Sequence, residues 1–164
     1  MKRFFHVLFA TAGLLALVAL PAQSADDLKP PVGYRNWFHV NTMIVDRTSP
    51  LVAQGLAAGM HNAHVNSVGE AALRKGGPYP DGTMFLIDLH EFSVDAGSYV
   101  EGPLQGIALM EKDSKKYAAT GGWGFQFWLS GDAKKPAVTD AAKQCFACHE
   151  PRKSQDYVYS TYIP

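Results

Sequence analysis

The sequence predicts an α+β domain built mainly on an antiparallel β-sheet, with flanking helices gathered toward its ends. Three observations carry this. Five runs are dense in β-branched and aromatic residues, proline and glycine clusters separate them, and a late segment carries helix-capping signals. With 47% apolar and 18% charged residues in 164, the chain can bury one sizeable core and is too apolar for a disordered tail.

The start is read apart from the domain. Met1-Lys2-Arg3 is basic, Phe4 to Leu20 is almost unbroken apolar sequence, and Ala22 and Ser24 are small. This is the pattern of a signal peptide over 1–24, which leaves 25–164 as a single exported, periplasmic domain. A membrane anchor is the other reading of the apolar run; the small residues and Asp26-Asp27 favour cleavage. Lys2 and Arg3 leave with the signal, so thirteen basic residues face fifteen acidic ones. A slightly negative chain without basic runs is not expected to bind nucleic acid or anionic lipid.

Residues 25 to 35 contain Pro30-Pro31 and Gly33 and predict an extended leader without helix. Trp37 to Val45 predicts the first strand and His61 to Val68 the second, with a loose apolar connection from Pro50 to Gly59. Glu70 to Lys75 predicts a helical turn, closed by Gly76-Gly77-Pro78. After the Pro80-Asp81-Gly82 turn, Thr83 to Val94 is the clearest strand: Phe85, Ile87 and Leu89 share one face, and Met84, Leu86, Asp88 and His90 the other. Tyr99 to Lys112 follows, interrupted at Gly102-Pro103, then a helical turn at Ser114 to Ala119 and a strand at Trp123 to Leu129. Thr139 or Asp140 caps a final helix that stops before Pro151.

That last helix carries Gln144-Cys145-Phe146-Ala147-Cys148-His149. A disulfide is the ordinary expectation for two cysteines in an exported protein, but a histidine directly after the second cysteine marks c-type haem attachment. Positions 145, 148 and 149 fall on one helix face, so two thioethers and an axial imidazole can meet one macrocycle. Thioredoxin-like chemistry expects the pair at the start of a βαβ unit, and structural zinc needs further ligands at suitable spacing. The expected cofactor is therefore one covalently attached haem c, held by Cys145 and Cys148 with His149 on the metal.

What lies on the other side of the iron separates an electron carrier from a ligand-binding site. Met43, Met84 and Met110 sit in strand patterns and read as core, and His39, His64 and His90 as solvent-facing or hydrogen-bonded. Met60 and His61, beside Gly59, are the pair most readily brought to the haem. Arg152, three residues after His149, is the candidate partner of a haem propionate.

The stretches KGGPYPDGTMFLIDLHEF and MEKDSKKYAATGGWGF, the cysteine motif and its tail DYVYSTY together resemble the cytochrome P-460 family, from Trp37 to Tyr162. The resemblance implies a β-sheet fold with flanking helices, a homodimer and five-coordinate haem. In its hydroxylamine-oxidising members a lysine is cross-linked to the porphyrin and a distal carboxylate moves protons; the matching positions here are Ile87 and Ala108, both apolar. Lys75 is the nearest other lysine. The chain is more similar to the c′-beta type, whose distal pocket is capped by apolar side chains, here Ile87 and Met60. The resemblance thus implies binding of nitric oxide or a similar small gaseous ligand, with an unidentified redox partner. The alternatives are a hydroxylamine-oxidising or peroxidase-like enzyme and a six-coordinate electron carrier.

Overall fold

The computed structural model describes residues 27–164; the signal peptide expected over 1–24 lies outside them. Five strands form one antiparallel sheet in chain order: β1 (Phe38–Val45), β2 (Gly59–Val65), β3 (Met84–Asp95), β4 (Ser98–Lys112) and β5 (Trp123–Leu129). The α+β expectation holds, and each strand falls within a few residues of its predicted run.

The differences have local causes. Asn66 accepts the Gly69 N–H through its side chain, so helix α2 (Ser67–Leu73) begins earlier than its apolar residues suggest. Ser49 caps a short helix α1 (Pro50–Ala53) inside the connection read as irregular. A 3₁₀ turn, Tyr34–Asn36, interrupts the supposedly extended leader. Strand β4 runs through Gly102-Pro103 because the β3–β4 register shifts beside it, and a bulge is where a strand can hold a proline. The final helical segment also passes Pro151: a π-helical turn (Ala142–Phe146) leads into α3 (Ala147–His149) and a 3₁₀ stretch (Glu150–Gln155) that carries the proline in its first turn, where proline is best tolerated.

Both sheet faces are covered. One buries Val65, Phe85, Met110, Trp123 and Phe125 against Leu73 of α2 and Val158 of the C-terminal segment. The other buries Leu86, Ile107, Leu109 and Trp128 beneath Leu28 and Tyr34 of the leader, Trp37 just after it, and Tyr117. Met110 is core as expected, whereas Met43 is exposed.

The second face also encloses a charge. Asp88 is buried, and His64 Nε2 donates to its Oδ1 at 3.2 Å. Arg35 reaches its Oδ2 at 3.1 Å, His90 Nε2 lies 3.3 Å from that oxygen, and the Tyr34 hydroxyl donates weakly at 3.4 Å. Burial pushes the Asp88 carboxyl up, but hydrogen bonds and charge from His64, His90 and Arg35 outweigh it and hold the group below its ordinary value. The stabilisation is therefore complete above about pH 4, the unfolded value, and is lost as the pH falls through the lower folded one. Asp88→Asn is expected to cost about 3 kcal/mol at neutral pH and to flatten the acid side of the stability profile in urea unfolding; an equal loss at neutral and acid pH contradicts this.

Candidate functional site

The site is assembled on the first sheet face. Asp140 Oδ1 accepts the Lys143 N–H at 3.1 Å, so the expected cap is present at the entry to the motif. The π-helical turn ends with the Ala147 N–H bonded to the Ala142 carbonyl. Cys145 is half-buried, and with Phe146 it packs on the cluster that contains Phe85, Phe125 and, at its edge, Ile87. Cys148 is exposed, and both thiols are free. Burial, with a smaller contribution from Cys148, pushes the Cys145 thiol up to about 11.

His149 is half-buried between rings: Phe125 lies 5.1 Å away, tilted, and Tyr159 5.3 Å away, edge-on. Its Nδ1–H donates to the Tyr157 carbonyl at 2.7 Å. Burial lowers the histidine's pKa, and that hydrogen bond offsets it only in part. The ring is thus neutral, with its proton on Nδ1 and its lone pair on Nε2, the arrangement in which an imidazole ligates a metal. The Tyr159 hydroxyl donates to the Cys148 carbonyl at 2.7 Å. Arg152 stacks its guanidinium 4.6 Å from the Tyr159 ring centroid, and its Nε is buried without a hydrogen-bond partner. An orphaned cationic donor beside the motif suits an anionic group such as a haem propionate.

Strand register supplies an apolar wall. Ile87 pairs with Ala63 and with Ala108, and Ala108 pairs with Phe127. Ile87, Ala108 and Phe127 are only half-buried, although Phe85, Met110 and Phe125 in the next row are buried. The positions matched to the cross-linking lysine and the distal carboxylate are therefore direct cross-strand neighbours, and both are hydrocarbon.

Met60 does not join this wall. It pairs with His90, and alternation along β2 puts it with Asn62 and His64, on the Asp88 side of the sheet. The expectation that Met60 caps the same pocket as Ile87 is corrected accordingly. His61 does share the side of Ala63, but it is buried and its Nε2 donates to the Ala57 carbonyl at 2.8 Å. Among the described residues, no cluster of three or more His, Cys, Asp or Glu side chains could hold a metal ion.

The sequence placed Phe125 in a strand without marking it for the site, whereas its ring lies against that of His149. Sequence reasoning missed Tyr157, which acts through its backbone, a group that no side-chain pattern reveals.

A neutral imidazole with a free Nε2, two cysteines one helical turn apart and an apolar wall fit a haem protein. The Cytochrome P460 family model matches residues 31–160, and the chain belongs to that family. Family membership makes it a cytochrome with a haem cofactor and its iron. No curated protein matches the chain.

The thiol environments give a prediction for the haem-free chain. Iodoacetamide near pH 8 should alkylate exposed Cys148 well before Cys145, because the buried thiol is almost wholly protonated there. Equal rates, followed by mass spectrometry of peptides, contradict this.

Proposed function

We propose that this chain is an exported, periplasmic monohaem cytochrome of the c′-beta type that binds nitric oxide or a similarly small, neutral ligand at five-coordinate iron. One haem c is attached through Cys145 and Cys148, with His149 as the axial ligand, in a protein that works as a homodimer with a redox partner still to be identified. The observation that carries this reading is the Nδ1–H of His149 donating to the Tyr157 carbonyl, which reserves Nε2 for iron on the side of the sheet that bears Ile87, Ala108 and Phe127. When bound, the haem supplies the iron to which a diatomic attaches.

The residues divide the remaining work. Cys145 and Cys148 anchor the macrocycle, and Arg152 offers its unpartnered Nε to a propionate. Ile87, with Ala108 and Phe127 beside it, offers van der Waals contact and no hydrogen-bond donor. With a haem bound, such a wall would favour nitric oxide, which needs no hydrogen-bond donor, over a ligand such as oxygen that gains from one. Hydroxylamine oxidation is less well supported, because neither Ile87 nor Ala108 can bond to a porphyrin or move a proton. A six-coordinate electron carrier is also less well supported, since Met60 is on the far face and His61 is engaged by Ala57.

Two experiments test the reading. Acid-acetone should leave the pigment on the protein, and mass analysis should find one haem joined only to the peptide containing Cys145 and Cys148. Pigment that extracts, or a haem peptide that also contains a lysine segment such as Lys75, contradicts it. In stopped-flow measurements on the ferrous protein, Ile87→Ala should accelerate carbon monoxide association about tenfold, equivalent to roughly 1.4 kcal/mol of relieved crowding; an unchanged rate shows that Ile87 does not roof the site.

A further inference from the structure

Behind His149 lies an ion pair that the haem motif does not include. Lys112, buried at the end of β4, places Nζ 2.6 Å from Asp156 Oδ1 and also donates to the Gly121 carbonyl at 3.3 Å. Asp156 Oδ2 accepts the Tyr79 N–H at 2.9 Å, and the Trp123 indole N–H donates to the Asp156 carbonyl at 2.9 Å. Three separate parts of the chain, at 79, 112 and 123, therefore converge on Asp156. The Lys112 ammonium also lies 4.9 Å from the centroid of the Trp123 ring, so the indole helps to hold the cation.

The residue so held is unusual in its backbone. Asp156 has φ 51° and Tyr157 has φ 65°, two successive non-glycine residues in the left-handed region. Such a pair is disfavoured and persists only where its surroundings over-determine it. The reversal turns the chain back toward α3. The Tyr157 N–H bonds to the Arg152 carbonyl at 2.9 Å and the Val158 N–H to the Gln155 carbonyl at 3.2 Å, which fixes the peptide that carries the Tyr157 carbonyl. The Tyr157 ring lies against Gly121, itself at φ 67°, where a Cβ would collide with the ring. From this reversal the Tyr157 carbonyl receives the Nδ1–H of His149 at 2.7 Å.

We propose that the Lys112–Asp156 ion pair positions the axial histidine: it holds the left-handed reversal that aims the Tyr157 carbonyl at His149 Nδ1, and so sets how strongly Nε2 donates to the haem iron. The inference rests on His149 being that ligand. Its physical basis is that a hydrogen bond from Nδ1 to a good acceptor gives the ring more imidazolate character, makes Nε2 more basic and favours the ferric state. Hydrogen bonds weaken steeply with misalignment, so a small rotation of the Tyr157 peptide is felt at the metal. Lys112 and Asp156 touch neither haem nor ligand in this scheme; they act through Tyr157 and His149.

The test uses the haem-loaded protein and three variants. Asp156→Gly keeps the left-handed backbone free of strain while removing both carboxylate contacts. Lys112→Met removes only the cation, and Asp156→Asn retains an acceptor for the Tyr79 N–H in a residue that tolerates positive φ. Resonance Raman spectra of the ferrous protein report the iron–imidazole stretch, and redox titration reports the potential. Both Asp156→Gly and Lys112→Met are expected to shift the stretch to lower frequency and raise the potential, with a smaller shift in the same direction for Asp156→Asn. A clamp with only a structural role lowers the unfolding midpoint and leaves the stretch and potential at their wild-type values in all variants that fold; that result overturns the inference while leaving the haem assignment intact. Absence of an iron–imidazole stretch in the wild-type protein overturns both. Should Asp156→Gly fail to fold, Asp156→Asn and Lys112→Met decide by the same criteria.

Discussion

An imidazole can give only one nitrogen to a metal, and the partner of the other nitrogen decides which one. In this protein the Nδ1–H of His149 is committed to the Tyr157 carbonyl at 2.7 Å. That bond fixes the tautomer, orients the ring between Phe125 and Tyr159, and ties the motif on α3 to a chain reversal several residues later. The reversal in turn depends on Asp156, whose contacts come from β4, β5 and the turn before β3. The sheet therefore serves the site less through loops at its edge than through a buried charge that secures the backbone next to the proposed axial ligand.

Strand β3 separates two environments by alternation alone. Ile87 faces the side of Cys145 and Phe146, where its neighbours across the sheet are Ala63 and Ala108. Asp88, one residue on, faces the opposite side and gathers His64, His90 and Arg35. A one-residue slip in register would exchange a carboxylate for the hydrocarbon wall. The buried network around Asp88 thus strongly penalises such a slip, since the charge would then be taken from its partners.

Much of this arrangement is legible in the sequence, and the reasons are physical. Period-two alternation made β3 readable residue by residue, and β5 follows its aromatic run from Trp123 to Leu129. The cysteine motif pointed to a haem cofactor, which the family match supports. Short helices were less readable: α1 and the start of α2 depend on single capping bonds from Ser49 and Asn66, each a local choice that an apolar pattern does not encode. Met60 was matched to the cap beside Ile87 by resemblance, but register pairs it with His90, so alternation along β2 turns it to the opposite face from Ala63 and Ile87. Tyr157 and Asp156 were invisible as supports of His149 because one contributes a carbonyl and the other a contact 44 residues from Lys112.

The proposed function requires an iron held by His149 on one side and open on the other. The absorption spectrum of the purified ferrous protein, recorded without added ligand, tests this most directly. A high-spin, five-coordinate spectrum with no sharp visible band is the predicted result. A low-spin, six-coordinate spectrum with resolved α and β bands would contradict it, because a side chain of this protein would then occupy the position assigned to a diatomic ligand.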